Sequence, residues 1–351
     1  MPWPLRAPVS LQSSRLAVAA LVLLSACAPP AAETLLLVDQ DAGVFRIADD
    51  GRTVTRFAPL GPMRRPQDIL QEPDGSFLVL DYHDEGGVGK IFTLSADGKR
   101  CKELPLPPGL VDPFHFERAP DGSIWIVDKN ADPRHLGKPG HPTGTLWRLT
   151  PDHSTLQIIA TGPPLIAPAA VVFAEGRTYL LDADSFKVLP YSLDNDEGAV
   201  FEVLRAKSGG YELRTVVRLK RLVSPLGIHR ESTGDFVIVD VNADPKERQR
   251  IRGAVYRIRT ATGETELLAM HDEFRDPVTC MPWRGALLVV DANADPLGLG
   301  DDGAKIHFGG NGRGGVYRLD LATGKVVRFA ASREWINPVR IRSARLPAGV
   351  R

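Results

Sequence analysis

Pro66-Gln-Asp-Ile-Leu70, Pro73-Asp-Gly75 and Phe77-Leu-Val-Leu-Asp81 succeed one another within sixteen residues. A proline opens a short apolar run, a turn follows, and a second apolar run ends in aspartate. Two such runs flanking a Gly-containing turn read as an antiparallel hairpin. The pattern returns as Pro113-Phe-His-Phe116, Pro120-Asp-Gly122 and Ile124-Trp-Ile-Val-Asp128. It returns again as Pro168-Ala-Ala-Val-Val172 with Tyr179-Leu-Leu-Asp182, and as Pro225-Leu-Gly-Ile228 with Phe236-Val-Ile-Val-Asp240. Pro277-Val-Thr-Cys280 with Leu287-Leu-Val-Val-Asp291 continues it.

Each aspartate is followed by a loop and a third strand, such as Gly89-Lys-Ile-Phe-Thr-Leu94 or Gly253-Ala-Val-Tyr-Arg-Ile258. A further turn and a fourth strand complete the unit. Four short strands at a period near fifty residues predict β-propeller blades. The opening prolines, 66, 113, 168, 225, 277 and 338, stand 47 to 61 residues apart. The N-terminal unit begins at Leu35-Leu-Leu-Val-Asp39, which matches a second strand. Its missing first strand stands at the other end, as Pro338-Val-Arg-Ile-Arg342. Pairing of the termini in one blade closes the ring without a free sheet edge. The expectation is an all-β, six-bladed propeller over residues 35–345, four strands per blade. Composition agrees: 33 glycines and 29 prolines are about one residue in six, too many for a helical bundle. At 43% hydrophobic, the chain is too apolar for disorder. The 43 basic residues balance 43 acidic ones, so no overall field draws the chain to nucleic acid. This repeat resembles those of NHL propellers and of the wider six-bladed group of gluconolactonase-like, strictosidine-synthase-like and paraoxonase-like proteins.

The N-terminus addresses the protein. Arg6 and Arg15 precede an apolar core from Leu16 to Leu24, and Leu24-Ser-Ala-Cys27 follows. A basic region, a short apolar stretch and small residues before a cut describe an export signal over 1–26. Nine apolar residues are too few to span a bilayer core of roughly 30 Å. The ending resembles the bacterial lipobox, which implies acylation of Cys27 and anchoring in the bilayer. Residues 27–34 then read as a tether. Ala28 after the cysteine resembles sorting to the periplasmic side of the outer membrane. Cys101 and Cys280 remain, in different repeats, and no disulfide is expected between them.

Candidate chemistry gathers on the rim that carries the loops after the second strands. The six terminal aspartates, Asp39, Asp81, Asp128, Asp182, Asp240 and Asp291, suggest a metal. A residue repeated in every unit also answers a need of every unit, such as accepting turn N–H groups. Three units extend the pattern: Asp128-Lys-Asn130-Ala-Asp132, Asp240-Val-Asn242-Ala-Asp244 and Asp291-Ala-Asn293-Ala-Asp295. Oxygen ligands at alternate positions suit Ca²⁺. A proline stands where a calcium loop needs glycine, so Asx-turns capped by proline are the competing reading. Two residues beyond each opening proline come Asp68, His115, Ala170, Gly227, Thr279 and Arg340. An acid, a possible base and a cation would converge on the channel mouth, with Asp68, His115 and Arg340 as catalytic or ligand-holding candidates. His229 and His83 are lesser ones. No nucleotide cofactor is expected.

The leading expectation is a lipid-anchored propeller binding a small molecule, peptide or glycan at its loop-rich face, with Ca²⁺ organising the loops. The resemblance also implies a metal-dependent lactonase or esterase with His115 as base. The early metal-binding glutamate motif of gluconolactonase-like proteins has no counterpart here, so no ligand set carries over. A structural role in envelope assembly is the third expectation.

Overall fold

The computed structural model describes residues 33–82, 88–136, 143–185, 197–219, 222–241, 243, 253–271, 274–294, 296–297 and 313–346. Every regular element among them is a strand. Blade 1 holds β1 (Glu33–Asp39), β2 (Gly43–Ile47) and β3 (Val54–Ala58). Blade 2 follows with β4 (Pro66–Gln71), β5 (Phe77–Asp81), β6 (Lys90–Leu94) and β7 (Cys101–Glu103). Blade 3 is β8 (Pro113–Arg118), β9 (Ile124–Asp128), β10 (Thr145–Leu149) and β11 (Leu156–Thr161). Blade 4 is β12 (Pro168–Ala174), β13 (Arg177–Asp182), β14 (Gly198–Arg205) and β15 (Tyr211–Leu219). Blade 5 is β16 (Pro225–Arg230), β17 (Phe236–Asp240), β18 (Ala254–Ile258) and β19 (Thr265–Ala269). Blade 6 is β20 (Pro277–Trp283), β21 (Ala286–Asp291), β22 (Gly315–Leu319) and β23 (Val326–Ala330). The last strand, β24 (Pro338–Arg345), leaves blade 6 and pairs antiparallel with β1, so blade 1 reads β24-β1-β2-β3. The ring is closed by the two ends of the chain, and its first strand starts two residues earlier than the sequence pattern suggests.

First strands pack side by side around the axis: β4 on β8, then β12, β16, β20, β24 and back to β4. Second strands are covered on both faces by neighbouring blades, which is why Phe77–Asp81 and Phe236–Asp240 are buried at every position. Outer strands face water and turn polar, as in Cys101–Glu103. Aromatic edges fill the wedges between blades. Phe57 meets Phe77 at 5.5 Å, Trp125 meets Phe173 at 5.4 Å, and Tyr179 meets Phe236 at 5.1 Å.

Two devices repeat around the ring. The carboxylate ending each second strand accepts the N–H groups of the two residues before its own blade's opening proline. Asp81 takes Arg64 and Arg65, Asp128 takes Val111 and Asp112, and Asp182 takes Ile166 and Ala167. Asp240 takes Val223 and Ser224, Asp291 takes Arg275 and Asp276, and Asp39 takes Ile336 and Asn337. Backbone donors entering a blade are thereby satisfied where no strand partner exists.

The second device joins blades. A β-carbon on Gly89, Gly144, Gly253 or Gly314 would run into the ring of Pro113, Pro168, Pro277 or Pro338, the proline opening the next blade. We expect Gly253→Ala to destabilise the protein by about 1–3 kcal/mol, the cost of overpacking a close contact. Urea unfolding of the full-length chain measures it, and a change below about 0.5 kcal/mol would show that the blades slide apart freely.

Candidate functional site

Each opening proline is followed by a β-bulge, at Pro66/Asp68, Pro113/His115, Pro168/Ala170, Pro225/Gly227 and Pro277/Thr279. A bulge re-aims the residue after it. Asp68, His115, Ala170, Gly227 and Thr279 therefore share one register position, each opposite the residue before the terminal aspartate. Arg340 sits opposite Val38 in the same way. The three charged members do come together. Asp68 Oδ2 lies 3.8 Å from His115 Nε2 and 3.6 Å from Arg340 Nε.

The strongest partner of Asp68 is a residue that the sequence reading passed over. Arg342 grips its carboxylate with two hydrogen bonds, Nε to Oδ1 at 3.0 Å and Nη2 to Oδ2 at 2.9 Å. It also donates to Glu117 Oε2 at 2.6 Å and to the Phe116 carbonyl at 2.8 Å. Three blades meet there, through β24, β4 and β8. The signal was available: along a strand, alternate residues share a face. The step that puts His229 two residues beyond Gly227 also puts Glu117 beyond His115 and Arg342 beyond Arg340.

Charge balance sets the protonation states. Burial works to raise the pKa of Asp68, and the guanidinium groups of Arg342 and Arg340 override it, so the carboxyl stays ionised below its usual range. Burial and then Arg340 push His115 well below its ordinary value, so the ring is neutral. Its Nδ1 accepts the Val171 N–H at 3.3 Å. On the other side of the ring, Arg342 Nη2 lies 3.2 Å from Nε2. Both sides of the imidazole are engaged, and no lone pair is left over for a reacting proton.

A cavity of about 390 Å³ adjoins this cluster. The wall made by β8 and β24 is polar, with His115, Glu117, Arg340 and Arg342; that made by β12 is apolar, with Ala170, Val172 and Phe173; β16 and β20 add Ile228, Thr279 and Met281. His229 also lines it. The lining extends to Arg118, Ala174 and Arg230, at the far ends of their first strands. The cavity thus occupies the half of the channel away from the aspartate rim. On the rim side, Phe114 is held by Lys129, whose Nζ lies 3.4 Å from the ring centre. Burial lowers the pKa of that amine to about 8, against the opposing charge of Asp112.

The alternate-oxygen loops bring their described members to protein donors. Asp128 also accepts the Ala131 N–H at 3.1 Å, Asn130 donates to Asp112 at 2.7 Å, and Asp132 accepts the Leu136 N–H at 2.8 Å. Asn293 donates to Asp276, and its own N–H goes to Asp291. Among the described residues no three acidic, His or Cys side chains are grouped to hold an ion. Asn130 and Asn293 use their amide nitrogens in these bonds, and Asn293 Oδ1 is buried with no donor in hydrogen-bond range. Asn242, Asp244 and Asp295 lie outside the described residues, as do His83 and Cys27. Cys101 and Cys280 are free thiols.

The fold and its closure define a six-bladed β-propeller. A chain of a nidogen–laminin complex superposes with a TM-score of 0.61 at 13% identity, over 89% of this chain and 98% of that one. The periplasmic gluconolactonase of Pseudomonas aeruginosa gives 0.51 at 15% identity, over 90% and 99%. Hydrazine synthase of Kuenenia stuttgartiensis gives 0.55 at 14% identity, over 91% of this chain and 47% of that one. At such identities the likeness is one of fold. No family model matches the sequence, and no curated protein does.

Proposed function

We propose that the protein is a binding propeller, anchored through an acylated Cys27 to the periplasmic side of the outer membrane, that takes a small ligand into its central channel. The observation that carries this reading is the cavity of about 390 Å³ with one polar and one apolar wall. Its volume falls among pockets that enclose small molecules. The anchor is supported by the Leu24-Ser-Ala-Cys27 sequence. Relative to the sequence expectation, the ligand moves from the loop-rich rim to the opposite half of the channel. A peptide or glycan would have to enter by one end or one side group.

A second reading, hydrolysis of lactones or esters, draws on the likeness to a gluconolactonase. It asks His115 to act as base, and the engaged Nδ1 of that ring favours binding instead. The hydrolytic reading would also need an ion, with Ca²⁺ the one to supply first. The full-length chain, purified in detergent, should open sugar lactones no faster than buffer does, with or without added Ca²⁺. Turnover that a chelator abolishes would replace binding by hydrolysis. Cys27→Ser should move the protein from the membrane to the soluble fraction; retention in the membrane would remove the anchor.

A further inference from the structure

The polar wall of the cavity is not electrically closed. Asp68 and Glu117 answer Arg342, and Glu72 answers Arg118. Arg340 has only the 3.6 Å approach of its Nε to Asp68, an oxygen already taken by Arg342 and by the Phe116 N–H. Arg230 stacks on Tyr179 and Phe236 and donates to Thr260, and no carboxylate pairs with it among the described residues. The wall therefore carries more guanidinium than carboxylate.

Arg340 itself is 4% exposed. Its Nη1 donates to Thr279 at 2.7 Å and its Nη2 to the Phe114 carbonyl at 3.5 Å, while its Nε–H is buried with no acceptor in hydrogen-bond range. Buried charged donors rarely go unmet, because stripping one of water without replacement is costly. On the opposite side of the ring β12 lines the cavity with Val172 and Phe173, and the adjoining β20 adds Met281, none of which offers anything polar to an occupant.

We infer that the cavity receives a small organic monocarboxylate with an apolar body, its carboxylate taken by Arg340 and Thr279 and its body laid against Phe173 and Met281. This rests on the channel-binding reading above. Four guanidinium groups, of Arg118, Arg230, Arg340 and Arg342, stand against three carboxylates, of Asp68, Glu72 and Glu117, so one negative charge balances the wall. A dianion such as phosphate would bring a surplus charge beside Asp68 and Glu117, and its unmet oxygens would face the apolar wall.

The test is calorimetric titration of the full-length chain in detergent with phenylacetate, its uncharged isostere phenylacetamide, and inorganic phosphate. Phenylacetate should bind at least about tenfold tighter than phenylacetamide, and phosphate should not bind. Arg340→Gln should erase the preference for the acid, while Arg134→Gln, on an outer groove remote from the channel, should keep it. Should Arg340→Gln fail to fold, Arg230→Gln should still weaken phenylacetate more than phenylacetamide. Equal affinity for acid and amide would overturn the anion assignment and leave a ligand-binding channel. Phosphate binding in preference to phenylacetate would overturn the monocarboxylate. Absence of heat from both aromatic probes would overturn this inference together with the reading beneath it.

Discussion

Replacing Arg342 by Met should lower the stability of the propeller by about 3–5 kcal/mol, the range found when one member of a buried ion pair is removed. The side chain it leaves behind, Asp68, is completely buried. Of its partners, the two Arg342 bonds would be gone and the Ile69 and Phe116 N–H groups would remain, at 2.8 and 3.3 Å. The loss falls on the seam, because Arg342 belongs to the closing strand and holds it to blades 2 and 3. Methionine keeps the volume of the aliphatic stem, so the measurement reads charge and hydrogen bonding rather than a cavity. Urea unfolding of full-length protein should show the midpoint falling. Adding Asp68→Asn should recover part of the loss, since the unpaired charge goes too. A single variant within about 0.5 kcal/mol of the parent would mean that Arg340 alone suffices to hold Asp68.

Asp39→Ala should cost about 2–5 kcal/mol, because two to three backbone donors lose their acceptor, at about 1–3 kcal/mol for each that stays buried. The donors are Ile336 at 2.8 Å, Asn337 at 3.1 Å and Asp41 at 3.0 Å. Two of them lie at the far end of the chain, so this clamp, unlike its five counterparts, draws the termini together. Asp39→Asn keeps one acceptor oxygen and should lose less. The effect has a pH signature. Burial, opposed by the Ile336 and Asn337 N–H bonds, raises the Asp39 carboxyl from 3.8 to about 6. A group bound more tightly by its proton in the folded state stabilises most below its unfolded pKa, and that share is lost as pH rises through the folded value. The gap between the parent and Asp39→Ala should therefore be wider at pH 4 than at pH 7.5. A gap that widens as pH rises would mean that the N–H bonds outweigh burial. Carbon-13 NMR of the Asp39 carboxyl should give a midpoint near 6, beside about 7 for Asp291, where burial is again the leading cause.

Much of this was legible in the residues. The repeat of proline, turn and terminal aspartate is a local pattern, and each unit carries it within some fifty residues. The split between Leu35-Leu-Leu-Val-Asp39 and Pro338-Val-Arg-Ile-Arg342 announced the closure for the same reason. Even the meeting of Asp68, His115 and Arg340 could be read, because repeats that superpose place equivalent residues around one axis. The double role open to the aspartates could not be resolved that way. A carboxylate has the same chemistry whether its neighbours are N–H groups or a metal ion.

The amino-acid sequence by itself determined the strands, their count per blade and the order in which the ring is assembled. These depend on alternation, turn residues and spacing, all of which are properties of neighbours along the chain. Tertiary structure decided the partners: Arg342 with Asp68 and Glu117 across three blades, the aspartates with the donors preceding each proline, and Arg340 left with a buried Nε–H beside a cavity. Such pairings join residues up to 298 positions apart. Their energies turn on distances of a few tenths of an ångström and on exclusion of water, neither of which exists until the ring has closed.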